Sequence, residues 1–174
     1  MSQADEPLPP YSIEQLVDKA EHDRSGFSCG VEDLDRYLKR YANQDLERGV
    51  ATPYVLTKGD EPDIIGYYTL SNYLVDVEIF PADVGDGLPY AQIPATLLGR
   101  LAVDRGHQGN RLGKALLLDA LKRSYEVAED IASFSVVVDA NEEARGFYLR
   151  HGLQAFPERD DKLYLPVKTI EEII

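Results

Sequence analysis

At 174 residues and 44% apolar composition, the chain can fill one hydrophobic core unaided, and its single cysteine, Cys29, excludes an internal disulfide and any multi-cysteine metal site. No run approaches the roughly 18–20 uninterrupted apolar residues of a membrane span, and the acidic, proline-containing start lacks the regions of a secretory signal, so a soluble, cytoplasmic protein is expected. The net charge of −13 weighs against a nucleic-acid partner, but residues 1–99 hold 18 acids and 7 bases whereas residues 100–150 hold 8 of each, which leaves room for a basic face in the second half.

Residues 1–10, polar with three prolines, are expected to form a loose arm ahead of a single domain over 11–174. Ile13–Val17 suits a first strand, although so short a pattern is also compatible with a helix. After the turn-rich segment Asp23-Arg-Ser-Gly-Phe-Ser-Cys-Gly30, the residues Val31, Leu34, Leu38, Tyr41, Ala42 and Leu46 recur at helical spacing, which predicts one core-facing stripe on a helix ended by Gly49. Arg36, Lys39 and Arg40 fall off that stripe, as a solvated face would place them; a substrate-binding patch is the alternative. Cys29 is read as a small packing residue rather than a reactive thiol.

Residues 52–57 and 64–71 are rich in β-branched and aromatic residues and flank a turn, which predicts a hairpin. Residues 80–95, with three prolines, form a connection long enough to be a binding loop. A strand over Ala95–Asp104 then feeds a glycine turn and a helix over Asn110–Ala128, and Ser133–Val138 is an apolar strand of the kind buried on both faces. A short helix over Glu142–His151, closed by Gly152, and apolar pieces at 153–156 and 162–167 complete the chain. This order gives an α/β (α+β) fold: a mixed, mostly antiparallel sheet with a central parallel strand pair, flanked by helices. The strand-helix units are too few for a doubly wound nucleotide-binding fold.

The turn at Gln108-Gly-Asn-Arg-Leu-Gly113 opens a helix, where unpaired N–H groups and the helix dipole favour phosphate. Alone it is unspecific, matching neither the dinucleotide fingerprint nor the P-loop. A second segment, Asn141-Glu-Glu-Ala-Arg-Gly-Phe-Tyr-Leu-Arg-His-Gly-Leu153, supplies the discrimination. Together the two resemble the GNAT superfamily of acetyl-CoA-dependent N-acetyltransferases, which pair a Q/R-x-x-G-x-G/A turn with an N-x-x-A-x-x-F-Y-x-x-x-G-F helix. The segments Asp23–Leu38, Gly66–Ser71, Leu98–Asp104 and Glu143–Tyr148 further resemble the GNAT toxins of bacterial toxin–antitoxin pairs, over roughly residues 11–167.

The resemblance implies the GNAT acyltransferase fold, acetyl-CoA as cosubstrate, no metal, and transfer of acetyl to the α-amino group of aminoacyl-tRNA with a block of translation. It implies a ribbon-helix-helix antitoxin and a homodimer as partners. By matching position, the backbone of Leu101, Ala102 and Val103 would bond the pantetheine arm. Gln108, Gly109, Asn110, Arg111, Leu112, Gly113 and Lys114 would cradle the pyrophosphate, Asn141 would touch the cofactor, and Tyr148 would sit near the thioester sulfur. A hydroxyl of pKa about 10 there is a suitable proton donor to the departing thiolate. No Asp or Glu of these motifs presents itself as a general base, which suits an α-amine of pKa about 8 better than a lysine side chain.

Arg111 departs from the pattern, standing where the middle glycine is expected. A helical backbone there would require no glycine; the guanidinium would contact a phosphate, or else face solvent or tRNA. Tyr148 is otherwise a core aromatic, His107 a loop residue, His151 a helix C-terminal residue, and Arg145 and Arg150 a solvated face or a tRNA-facing patch. Two other functions compete: a GNAT enzyme for a small amine, peptide or protein, and an acetyl-CoA-binding protein without activity.

Overall fold

The computed structural model describes residues 11–17 and 21–174, so the expected arm at 1–10 lies outside the described residues. The strands are β1 (Tyr11–Gln15), β2 (Thr52–Lys58), β3 (Gly66–Asp76), β4 (Gln92–Val103), β5 (Ser135–Asp139), β6 (Gln154–Phe156) and β7 (Arg159–Pro166). They form a seven-stranded sheet in the order β1-β2-β3-β4-β5-β7-β6. β4 and β5 are parallel, registered from Thr96 opposite Val136 to Leu98 opposite Val138, while β1–β2, β5–β7 and β6–β7 are antiparallel. Val136, Val137 and Val138 are fully buried, which is why β5 carries no polar alternation. The helices are α1 (Glu32–Arg36), α2 (Ala42–Arg48), α3 (Ala82–Gly85), α4 (Leu112–Asp130), α5 (Glu142–Arg150) and α6 (Val167–Ile170).

The described residues fall into two compact units, one of residues up to Tyr68 with Leu101–Leu116, the other of Thr69–Arg100 with Leu117–Ile174. The first is centred on Leu16, Phe27, Leu38, Val55 and Tyr67. The Phe27 ring meets Tyr67 edge-on, and the Tyr67 hydroxyl donates to the Leu34 carbonyl at 2.6 Å, so the buried phenol is satisfied.

The stripe predicted on the first helix is interrupted. Between α1 and α2 the chain makes a π turn over Tyr37–Tyr41, in which the Ala42 N–H donates to the Tyr37 carbonyl five residues back. The extra residue advances the helix by about 100°. Tyr37 is therefore buried, its hydroxyl donating to Asp45 at 2.8 Å, and Tyr41 is 47% exposed instead of facing the core. The buried Arg24 reaches in from fourteen positions upstream and donates Nη1 to the Leu38 carbonyl at 3.1 Å, an insertion of the kind that breaks an i→i+4 ladder. Gly49 ends α2 in the left-handed conformation, as expected of a helix C-terminal glycine.

The second unit has its own core, where Phe80 packs against Phe134, Phe156 and Tyr164 with ring centroids 5.6, 5.2 and 5.0 Å away. β3 runs on to Asp76 rather than stopping at Ser71, and β4 begins at Gln92 rather than Ala95. The expected long loop is thereby shortened and contains α3.

Candidate functional site

The glycine turn is built by hydrogen bonds that Asp104 and Gln108 gather from two stretches of chain. Asp104, just past β4, accepts from the Ser28 N–H at 2.9 Å, the Gly106 N–H at 3.0 Å and His107 Nδ1 at 3.3 Å. Burial opposes its ionisation, but the bonds from Ser28, His107 and Gly106 outweigh it and hold the carboxyl below the usual range. The Arg105 N–H donates to the Ser28 carbonyl at 2.7 Å, locking the Phe27–Gly30 segment to the turn. Gln108 donates Nε2 to the carbonyls of Cys29 at 3.0 Å and Val103 at 2.9 Å, so the side chain of this exposed residue supports the loop. Sequence reasoning did not single out Asp104 as the centre of this network; an acid standing between an apolar strand and a glycine turn was the available signal.

Two residues of the turn have left-handed backbones, Gly109 at φ 86° and Arg111 at φ 59°. The helical backbone that would have freed Arg111 from the glycine requirement is therefore absent. The arginine instead holds the glycine-type conformation, at a cost of roughly 1–2 kcal/mol. α4 then begins, its first ladder bond running from the Ala115 N–H to the Arg111 carbonyl at 3.1 Å. The N–H groups of Leu112, Gly113 and Lys114 precede that bond and have no partner in the helical ladder, at the positive end of a 19-residue helix. Leu112 turns its side chain inward, whereas Gln108, Gly109, Asn110, Arg111 and Lys114 are exposed.

Leu101, Ala102 and Val103 lie at the end of β4, past Leu98, where the register with β5 ends. The Val103 carbonyl there accepts from Gln108 Nε2.

Asn141 and Tyr148 belong to the second unit. Asn141 caps α5, its side-chain oxygen accepting from the Ala144 N–H at 2.7 Å, which explains an Asn at the start of this helix. Tyr148 is 3% exposed. Burial, and secondarily the carboxylate of Asp139, pushes its phenol well above the usual value, so it stays protonated through the neutral range. Asp139 is itself paired with Lys162, whose ammonium lies 5.6 Å from the centre of the Tyr73 ring.

Several of the remaining candidates have structural partners. His151 Nδ1 donates to the Phe147 carbonyl at 2.8 Å, and Arg145 donates to the Asp160 carbonyl at 2.9 Å. Arg36 pairs with Glu32 and Asp33 at the surface, and Lys39 and Arg40 are exposed. Burial, chiefly, and Asp35 push the Cys29 thiol up to about 11, which leaves it a poor nucleophile at neutral pH. Among the described residues, no group of three or more His, Cys, Asp and Glu is placed to hold a metal, and no helix is long and apolar enough to cross a membrane.

The chain is 32% identical over 165 residues to a protein of Mycobacterium tuberculosis named a tRNA-acetylating toxin, covering 94% of this chain and 97% of that one. It is similar to the solved structure of AtaT complexed with acetyl-methionyl-tRNAfMet, at a TM-score of 0.86 and 30% identity over 93% of this chain and 98% of that one. It is also similar to a tyrosine-to-phenylalanine mutant of the AtaT toxin bound to acetyl-CoA and the C-terminus of the antitoxin AtaR, at a TM-score of 0.79 and 28% identity over 93% and 96% of the two chains. Residues 17–153 match the Acetyltransferase (GNAT) family, to which this chain belongs.

Proposed function

We propose that this protein transfers the acetyl group of acetyl-CoA to the α-amino group of an aminoacyl-tRNA and so blocks translation. The observation that carries this is the likeness over nearly the whole chain to AtaT solved with acetyl-methionyl-tRNAfMet. The fit of the residues to acetyl-CoA rests on the turn itself. A left-handed Gly109 and Arg111 lead into three N–H groups without ladder partners, beside the end of β4. Residues 100–114 also hold four bases, Arg100, Arg105, Arg111 and Lys114, against the single acid Asp104, so the region attracts a polyanion within an acidic protein.

On this reading Gln108 to Lys114 hold the pyrophosphate, Leu101, Ala102 and Val103 bond the pantetheine through their backbone, and Asn141 contacts the cofactor while capping α5. Acetyl-CoA supplies an activated acetyl as a thioester. As the amine nitrogen bonds to the acetyl carbon and the carbon–sulfur bond breaks, the Tyr148 phenol donates a hydrogen bond to the developing thiolate, and the proton lost by the amine balances the thiol released. A phenol raised in pKa is a poor base but a permanent donor.

The family match runs through both compact units, which supports one acetyltransferase domain over residues 11–174. The antitoxin bound in the AtaT neighbour supports a silencing partner, which the resemblance to the toxins makes a ribbon-helix-helix protein, and translation as the target supports a cytoplasmic location. The resemblance to the toxins supports a homodimer. The test is incubation with labelled acetyl-CoA and charged total tRNA. Label is expected in the aminoacyl-tRNA and lost when the aminoacyl ester is hydrolysed; label in protein or free amines alone would overturn the assignment.

A further inference from the structure

Arg105 is anchored at both ends. Its N–H donates to the Ser28 carbonyl at 2.7 Å, and its guanidinium lies against Gly30, with Nε and Nη2 3.1 and 3.4 Å from the position a Cβ would take. Gly30 is itself left-handed, at φ 96°. Two requirements for glycine thus coincide at one residue: a backbone that other residues rarely adopt and a space already filled by a guanidinium. The Cys29 carbonyl, one residue before Gly30, accepts from Gln108 Nε2 at 3.0 Å, so the guanidinium rests on the segment that Gln108 ties to the glycine turn.

The Arg105 side chain makes no ion pair or hydrogen bond among the described residues, and it is exposed. The acids of the two stretches that meet here, 23–36 and 104–107, are engaged elsewhere. Asp104 accepts from Ser28, Gly106 and His107, Asp35 from the Cys29 N–H at 2.8 Å, and Asp23 from Ser25, while Glu32 and Asp33 pair with Arg36. A guanidinium set in place and left without a carboxylate is prepared for another anion, since little side-chain freedom remains to be lost on binding. Its planar fork matches a phosphate.

We propose that Arg105, positioned by Gly30, binds a phosphate of one of the two substrates, an assignment that rests on the acetyl transfer proposed above. The phosphate is one that the turn's own N–H groups do not hold: the 3′-phosphate of acetyl-CoA or a backbone phosphate of the acceptor RNA.

The test titrates acetyl-CoA and acetyl-dephospho-CoA, which lacks the 3′-phosphate, into the full-length protein by calorimetry, and measures KM for charged total tRNA. If Arg105 holds the 3′-phosphate, the wild type prefers acetyl-CoA by about tenfold, and Arg105→Gln abolishes the preference by weakening acetyl-CoA alone. If it holds the RNA, Arg105→Gln leaves both thioester affinities unchanged, raises KM for charged tRNA about tenfold at constant kcat, and lowers the salt slope of that KM by about one. Arg105→Lys keeps the charge without the fork and should fall between. Gly30→Ala should reproduce the loss in the wild type and add none to Arg105→Gln, which separates displacement of the guanidinium from backbone strain. Tm should not change in Arg105→Gln, whose lost side chain bonds nothing in the fold. Equal weakening of both thioesters, or no change in either affinity or in KM, would overturn the proposal. A wild type that binds acetyl-CoA but acetylates no charged tRNA would instead overturn the function proposed above, and the two thioester titrations would then decide the role of Arg105 alone.

Discussion

Gln108 donates its side-chain amide to the carbonyl of Cys29 at 3.0 Å, joining residues 79 positions apart, and the same nitrogen donates to Val103 at 2.9 Å. The segment before the first helix and the glycine turn are thus fixed to each other by the side chain of a residue whose backbone lies in the proposed cradle. Gln108→Leu keeps the length of the side chain and removes both bonds, each worth about 0.5–1.5 kcal/mol net. Acetyl-CoA affinity is expected to fall about tenfold by calorimetry, with a smaller loss in kcat. Unchanged affinity would show that the turn holds its shape without this support.

Arg111 in the left-handed region invites a pair of substitutions that separate backbone from charge. Arg111→Gly removes the Cβ strain and the guanidinium together; Arg111→Ala removes the guanidinium and keeps the strain. Relative to alanine, glycine should be more stable by about 1 kcal/mol, or about 2–4 °C in Tm for a chain of this size. If the guanidinium meets a cofactor phosphate, both variants weaken acetyl-CoA binding by about tenfold, as expected for a lost charge-assisted bond. Unchanged affinity in both assigns the side chain to solvent or to the acceptor.

Much of this arrangement was legible in the sequence because periodicity reports faces. The three buried valines of β5, the α5 boundaries and the Gly49 stop all followed from spacing and terminal residues. What escaped depends on contacts distant in sequence. The π turn lies where Arg24 reaches the Leu38 carbonyl, and nothing in residues 37–41 announces it. The extension of β3 was visible as alternation at Tyr73 and Val75 but was hidden by Asn72, and Pro94 made the start of β4 resemble a loop although its carbonyl accepts from Phe134 at 2.9 Å. In the proposed site, the resemblance assigns Asn141 to the cofactor; the structure adds that its side-chain oxygen caps α5.

The lowered pKa of Asp104 gives a pH dependence with a definite sign. The folded protein holds this carboxyl ionised below the ordinary value of about 3.9, so its contribution to stability is fully present above that pH and is lost as pH falls through the lower folded pKa. Asp104→Asn retains the shape but cannot accept the Ser28 and Gly106 N–H groups at both oxygens, and should cost about 1–2 kcal/mol at pH 7. Urea melts at pH 7 and pH 3 should show that difference shrinking at acid pH. A constant difference would mean that the ionised form is not what the turn requires.

Tyr148→Phe removes one hydroxyl from a side chain that is 3% exposed, and the ring remains to fill its place. Stability should change by less than about 1.5 kcal/mol, whereas kcat should fall by about 100-fold or more with little change in acetyl-CoA affinity. Because burial raises the phenol above its ordinary pKa of about 10, its contribution to stability is present below that pH and lost only as pH rises through the higher folded value. The rate should therefore rise to about pH 9, as the acceptor amine of pKa about 8 loses its proton, and stay level from there to about pH 10. A rate that declines between pH 8 and 10 while the fold persists would mean that the acid in the reaction is a group other than Tyr148.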